Sequence, residues 1–79
     1  MNLYLCSQEQ NQDYDTYDSF IGTFDNEEEA RNHHPDDYRE WGSKLSTWCN
    51  SPDDVRVVFI GEADANLSKG IVLKSFNAG

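Results

Sequence analysis

Apolar and polar residues alternate in four separate segments of the chain, a pattern typical of half-buried β-strands. In the first segment Leu3 and Leu5 fall on one face, and Tyr4 and Cys6 fall on the other. A strand has this alternation because successive side chains point to opposite faces of the sheet. The pattern therefore predicts four strands, at NLYLCS, TYDSFIGTF, VRVVFIGEA and GIVLKSF.

A short helix is predicted between the second and third strands, over about residues 26–34. Asp25 is a suitable N-cap, and Glu28 follows three residues later, which is the spacing of a capping box. The glutamates of the first turn also suit the positive end of the helix dipole. Pro35 disfavours helical geometry at the residue before it, so the helix is expected to end there.

These elements predict an α+β fold, in which residues 1–79 form a single small domain. The order is ββαββ, with an antiparallel four-stranded sheet, one short helix and a loop that carries Trp41 and Trp48. The motif SPDD, in which Ser51 can cap and Pro52 suits the first helical position, predicts one further helical turn.

One short helix can cover only one face of such a sheet, and the strands also carry apolar residues on the second face. We expect the loop with Trp41 and Trp48 to fold over that second face. A second chain, either a homodimer partner or another protein, is the alternative. The residues assigned to the second face are Phe20, Val58, Ile60, Val72 and Phe76.

The net charge of −9 is confined to the first half of the sequence. Residues 1–40 contain eleven acids and two arginines, whereas residues 41–79 contain four acids and four bases. Such a field repels nucleic-acid phosphates and anionic membranes, and it attracts basic protein surfaces. The sequence therefore predicts neither direct nucleic-acid binding nor membrane association. It also lacks a signal-peptide pattern and a long apolar run, which favours a cytoplasmic protein.

The sequence shows no motif for catalysis, a metal or a cofactor, so we expect a non-enzymatic protein without either. His33 and His34 are adjacent and would point about 100° apart on a helix, which prevents them from chelating one ion. Cys6 and Cys49 have no metal-binding spacing and are expected to be free thiols. Carboxylates in a solvated run keep ordinary pKa values and do little acid–base work.

The acidic first half can act as a docking surface, with aromatic side chains as the anchors of the interface. Carboxylates there could stand in for the phosphates that a nucleic-acid-binding groove recognises. The same charge also serves solubility and helix capping, which need no partner. The residues predicted to bind a partner are Asp13, Tyr14, Asp15, Tyr17, Asp18, Glu27, Glu28, Asp36, Asp37, Tyr38, Glu40 and Trp41.

Three stretches, YDSFIGTFDNEEEARNHHP, SPDDVRVVFIGEA and KGIVLKSFNAG, resemble a family of small acidic proteins carried by bacteriophages and prophages. The resemblance covers nearly the whole chain except residues 36–50. It implies a phage-encoded inhibitor in the host cytoplasm, such as an anti-CRISPR or another anti-defence protein. Its partner would be a host protein with a basic surface, either a nucleic-acid-binding or a defence protein.

Two other functions remain open at this point. The chain could sequester a small ligand in an aromatic pocket formed by Trp41 and Trp48, or it could be an accessory phage protein with a structural role. Either function is compatible with an oligomer.

Overall fold

The computed structural model describes residues 1–36, 41–42 and 46–78. These residues agree with the α+β class and with the predicted order of elements. The elements are β1 (Asn2–Ser7), β2 (Thr16–Phe24), α1 (Glu27–Arg31), a 3₁₀ turn (Pro52–Asp54), β3 (Arg56–Glu62) and β4 (Gly70–Asn77).

The four strands form one sheet in the order β3-β1-β2-β4, and every neighbouring pair is antiparallel. The hairpin β1–β2 is central, so β3 and β4 are the two edge strands. In the middle of the sheet Leu5 lies opposite Ile21 on β2 and opposite Val58 on β3. Because β3 and β4 are at opposite edges, the connection between them has to cross one end of the sheet.

The hydrophobic core lies on the face of the sheet against which α1 packs, here called the helix face. Ala30 of α1 is fully buried on it, together with Cys6 of β1 and Phe20 of β2. These side chains share one face because they occupy alternate positions on paired strands, with Cys6 directly opposite Phe20.

Helix α1 is shorter than predicted, and its N-cap is displaced by one residue. The side chain of Asn26, not that of Asp25, accepts a hydrogen bond from the backbone N–H of Glu29 at 2.9 Å. The Glu29 carboxylate in turn accepts from the N–H of Asp25 at 3.2 Å. The helix ends at Arg31, well before Pro35, and the Asn32 side chain donates to the Glu28 carbonyl at 2.8 Å.

The prediction that the tryptophan-bearing loop covers the second face is wrong. Trp48 is fully buried on the helix face, where its ring centroid lies 5.5 Å from that of Phe20. Phe20 and Phe76, also assigned to the second face, belong to the helix face, since Phe76 packs against Tyr17 next to the core. The physical reason is the size of α1, whose single buried residue, Ala30, leaves most of the helix face to be filled by other side chains.

The second face of the sheet, here called the open face, has no described element packed over its centre. A row of apolar side chains crosses all four strands there, formed by Val58, Leu5, Ile21 and Leu73 in successive register pairs. Val58 is 37% and Leu73 65% exposed, and the two central residues are half-buried. Among the described residues, cover is found at one end of this face, where the Thr23 hydroxyl donates to the Ser68 carbonyl at 2.5 Å.

Candidate protein-binding surface

The loop between β1 and β2 projects an aromatic side chain between two carboxylates. Tyr14 is 77% exposed and is flanked by Asp13 and Asp15. The base of the loop is fixed, because the Thr16 hydroxyl donates to the Asp13 carbonyl at 2.6 Å. The Asp15 N–H also donates to the Asn77 carbonyl at 2.6 Å. The loop therefore presents Tyr14 from an ordered base at the end of the sheet.

A polar network that the sequence analysis did not predict joins this loop to the tryptophan-bearing segment. The buried Gln8 amide donates to the carbonyls of Asn11 at 2.6 Å and Tyr17 at 2.9 Å. The Asn11 amide donates to the carbonyls of Ser46 at 3.2 Å and Trp48 at 3.0 Å. In the sequence these residues appear only as a polar loop, and no local signal shows that two of its amides bridge distant backbone.

Two of the predicted partner-binding residues of the tryptophan-bearing segment, Asp36 and Trp41, lie next to this network. The Asp36 carboxylate accepts a hydrogen bond from the Thr47 hydroxyl at 3.2 Å, and its N–H donates to Nδ1 of His34 at 2.9 Å. The ring of Trp41 lies 5.2 Å from that of His34, edge to face. Because Trp48 is fully buried in the core, the two tryptophans do not form the solvent-open aromatic pocket that a ligand-sequestering protein would need.

Two further carboxylates reach the same end of the sheet from the second half of the sequence. The 3₁₀ turn that carries Asp53 and Asp54 begins at Ser51, whose hydroxyl accepts from the Asp53 N–H at 3.2 Å, as predicted. Asp54 shares a hollow of about 200 Å³ with Glu9 and with the cation Arg56, at the point where β1 ends. We call this acidic surface the hairpin end; it consists of Glu9, Asp13, Tyr14, Asp15, Asp36, Asp53 and Asp54.

Glu27 and Glu28 follow the end of β2 that is opposite the hairpin end, but α1 turns back over the helix face, so that Arg31, which pairs with Glu27, also donates to the Val55 carbonyl next to Asp54. The nine residues of β2 separate the two ends by about 26 Å at an ordinary strand rise. We call the second surface the helix end; its acids are Asp25, Glu27, Glu28, Glu29, Glu62 and Asp64. The predicted binding residues therefore form two groups at the two ends of β2, and Arg31 connects Glu27 of the helix end to the backbone beside Asp54 of the hairpin end.

Basic side chains neutralise part of the helix end. The Lys69 ammonium lies 2.8 Å from carboxylate oxygens of both Asp25 and Glu29, and Arg31 pairs with Glu27 at 3.2 Å. The hydrogen bond from Lys69 lowers the pKa of Asp25 below its ordinary value of 3.8. The same two carboxylates raise the pKa of Lys69.

Two more predicted residues, Tyr17 and Asp18, point away from the hairpin end. The ring of Tyr17 is half-buried on the helix face, with the Lys74 ammonium 4.9 Å from its centroid. The Asp18 carboxylate accepts from the hydroxyls of Ser19 at 2.8 Å and Ser75 at 3.3 Å, on the side of the open face. The remaining predicted residues, Asp37, Tyr38 and Glu40, lie outside the described residues.

The described histidines and cysteines occupy structural positions. The His33 ring packs 5.2 Å from the ring of Phe24 and 5.9 Å from that of Phe20. Burial raises the pKa of the Cys6 thiol to about 12 and that of Cys49 to about 11. Within residues 1–36, 41–42 and 46–78, no three His, Cys, Asp or Glu side chains are grouped as metal ligands. No helix in these segments is long and apolar enough to cross a membrane.

A larger hollow, of about 460 Å³, lies at the helix end beside Phe24 and Gly70. Its polar lining includes Glu29 and Lys69, which bind each other, and its remaining residues are Asn32 and His33. Because Glu29 and Lys69 already bind each other, the hollow is a weaker site for an ionic ligand than the residue types of its lining suggest.

Comparisons of the chain with models of protein families, with curated proteins and with solved structures each found no match.

Proposed function

We propose that this domain is a non-enzymatic binding protein that docks on a basic surface of another protein through its hairpin end. The observation that carries the proposal is the position of Tyr14, which is 77% exposed between Asp13 and Asp15 at an end of the sheet where acids from three segments of the chain gather. Exposed aromatic side chains supply the desolvated anchors of interfaces. Surrounding charges of one sign steer a complementary partner into place.

The choice of the hairpin end over the helix end rests on the exposed Tyr14 and on the ion pairs of the helix end. At the helix end Asp25, Glu27 and Glu29 already bind Lys69 or Arg31. A partner's cation would have to displace those bonds. Tyr14, in contrast, offers an anchor that is solvent-exposed before binding. Glu27 and Glu28 are therefore left out of the proposed interface.

The resemblance to phage proteins supports a biological role for this binding, that of an inhibitor of a bacterial host protein. A basic nucleic-acid-binding groove of a defence complex, such as a CRISPR effector, is the kind of surface that an acidic patch with an aromatic anchor would occupy. Occupation of such a groove would exclude the nucleic acid. Expression of the domain in bacteria with an active defence system should then restore plaque formation by a sensitive phage.

Two double variants of equal charge change test the binding surface. Glu9→Lys with Asp13→Lys reverses two charges at the hairpin end, and Glu28→Lys with Glu62→Lys reverses two at the helix end. All four side chains are exposed. The tagged wild-type domain is first used to capture a binding protein from bacterial lysate at low salt, and that protein is then purified.

The expected result is that the hairpin-end variant loses affinity for the purified partner by about tenfold or more, while the helix-end variant binds as the wild type does. Binding should also weaken with added salt, because exposed charges are screened beyond about 8 Å at physiological ionic strength. Equal binding by the wild type and the hairpin-end variant would refute this surface. If nucleic acid fails to displace the domain from its partner, the proposal that the partner's surface is a nucleic-acid-binding groove is refuted.

A further inference from the structure

Among the described residues, the open face is apolar across its full width and carries few charged side chains. By strand alternation it contains the row Val58, Leu5, Ile21 and Leu73, with Leu3 beside it. Among the described residues its charges are one cation, Arg56, and one carboxylate, Asp18, and Glu9 and Asp54 of the hairpin end lie beside Arg56 at the border of the face. The remaining described acids belong to the hairpin end or the helix end. A face that is neutral and apolar in a chain of net charge −9 is suited to burial against another apolar surface.

The two charges of the open face lie at opposite edges of one row. Arg56 of β3 pairs with Ser7 of β1, and Ser19 of β2 pairs with Ser75 of β4. Arg56 is therefore at one edge of the row. Asp18 is at the other, where its carboxylate binds the hydroxyls of Ser19 and Ser75. Arg56 lines the hollow that Glu9 and Asp54 also line, but within the described part of the chain it makes no hydrogen bond or ion pair with either, so its guanidinium can bind a carboxylate of a second copy.

We infer that the open face is the interface of a homodimer in which two sheets pack face to face around a twofold axis parallel to the strands. Such an axis reverses the strand order, so that β3 of one copy lies over β4 of the other. Val58 then meets Leu73 of the second copy, and Leu5 meets Ile21. Arg56 meets Asp18 of the second copy twice, once on each side of the axis. The face is therefore complementary to itself both in the order of its apolar residues and in the positions of its two charges, as an isologous interface has to be.

The geometry is compatible with known sheet packing. Two sheets that pack face to face lie about 10 Å apart with their strands nearly aligned, and arginine and aspartate side chains together span that gap. Four strands about 4.8 Å apart and six residues of about 3.3 Å rise give a face of about 400 Å² in plan. A standard interface buries about 800 Å² per partner, so this dimer is expected to be weak and to form at micromolar concentrations.

Self-association and partner binding should respond to salt in opposite directions. Salt screens the mutual repulsion of two chains that each carry a charge of −9, and it leaves apolar burial intact. The dimer should therefore persist or strengthen as salt is added, whereas docking on a basic partner should weaken. This difference also separates the two proposals, because self-association is measured on the isolated protein and does not depend on whether a partner exists.

Sedimentation velocity over a concentration series, at physiological salt, tests the interface. The wild type should form dimers, and Leu73→Lys should weaken them by about tenfold or more, because a charge would be buried in the apolar row. Gln12→Lys makes the same change of charge on an exposed side chain of the β1–β2 loop, outside the strands that form the open face, so it should dimerise normally. Leu73→Thr, which keeps a residue favoured in strands, serves as a second variant, and circular dichroism checks that each variant is folded.

Charge reversal tests the twofold arrangement itself. Arg56→Asp should weaken the dimer, because two carboxylates would then face each other on each side of the axis. Asp18→Arg should weaken it as well, because two guanidinium groups would face each other at the same two places. An equimolar mixture of the two variants should recover dimers near the wild-type affinity, since each contact then pairs opposite charges. A wild type that stays monomeric at about 1 mM would overturn the dimer. A mixture that fails to recover association would overturn this arrangement of the two copies.

Discussion

The ring of Trp48 packs against that of Phe20 at 5.5 Å between centroids, with an interplanar angle of 45°. The two side chains are 0% and 1% exposed, and they join the central strand β2 to a segment that belongs to no helix or strand. Trp48 thus supplies the packing on the helix face that a five-residue helix cannot. The irregular segment is part of the core.

Replacing this indole should destabilise the domain severely. Trp48→Ala is expected to lower the free energy of unfolding by about 3–5 kcal/mol, through lost burial and the cavity that remains. Urea titration followed by circular dichroism measures it, and Trp48→Phe should recover part of the loss. Tyr14→Ala, on a side chain 77% exposed, should stay within about 0.5 kcal/mol of the wild type. A small effect of Trp48→Ala would contradict the buried position.

The Gln8 amide should contribute more to stability than an ordinary polar loop residue. Gln8→Ala removes hydrogen bonds to the Asn11 and Tyr17 carbonyls and leaves these groups with fewer partners. The expected loss is about 1–3 kcal/mol in the free energy of unfolding. Gln12→Ala, on an exposed glutamine of the same loop, is the control. Equal midpoints of urea unfolding for the two variants would show that the network is not needed.

Cys6 and Cys49 should resist thiol reagents in the folded protein. Burial raises the pKa of Cys6 from 9.0 to about 12, which lowers its reactive thiolate fraction at pH 8 about a thousandfold. Reaction with a chromogenic disulfide reagent should be slow in native buffer and fast in guanidinium chloride. Rapid native labelling of either cysteine would contradict its burial.

Because the unfolded chain releases these protons at lower pH than the folded one, stability should also fall as the pH rises above 9.

Lys69 binds the carboxylates of Asp25 and Glu29, an arrangement here called the Lys69 clamp, and its effect on the pKa can be followed at the carboxyl group of Asp25. The pKa of Asp25 lies below 3.8 because of its hydrogen bond to Lys69, so Lys69→Gln should raise it towards that value. Its contribution to stability is present above pH 3.8 and is lost as the pH falls through the lowered pKa. The raised pKa of Lys69 acts in the opposite sense, with a contribution present below pH 10.5 and lost at higher pH. NMR titration of the Asp25 carboxyl carbon in both proteins measures the change, and an unchanged pKa would exclude the clamp in solution.

Strand positions were predictable from the sequence, because alternation is a local consequence of the pleat. Faces were predictable only in part, since Phe20 and Phe76 were assigned to the wrong face and register shifts between β2 and β4 interrupt the alternation. The first two strands match the predicted segments residue for residue. The helix cap was displaced because Asp25 and Asn26 are both good caps, and the choice between them depends on where β2 ends. The position of the tryptophan-bearing loop was not predictable, since it depends on how much of the helix face α1 leaves uncovered.

The candidate site was predictable in composition and not in arrangement. A run of acids from Asp13 to Asp36 looks like one surface in the sequence, yet β2 places its members at opposite ends of the sheet. Asp53 and Asp54 have no excess charge around them in the sequence, and they reach the hairpin end because β3 pairs with β1. Strand order is a long-range property, which composition and spacing do not encode.

The pairing of β4 with β2 also determines when the domain can finish folding. The register joins Thr16 to Asn77, so one edge of the sheet is assembled from residues separated by most of the chain. A contact of such long range forms slowly, because a large loop has to close before any pairing energy is gained. During synthesis β2 therefore has an unpaired edge until β4 has been made. A chain that stops before Gly70 would keep that edge exposed and be prone to aggregation.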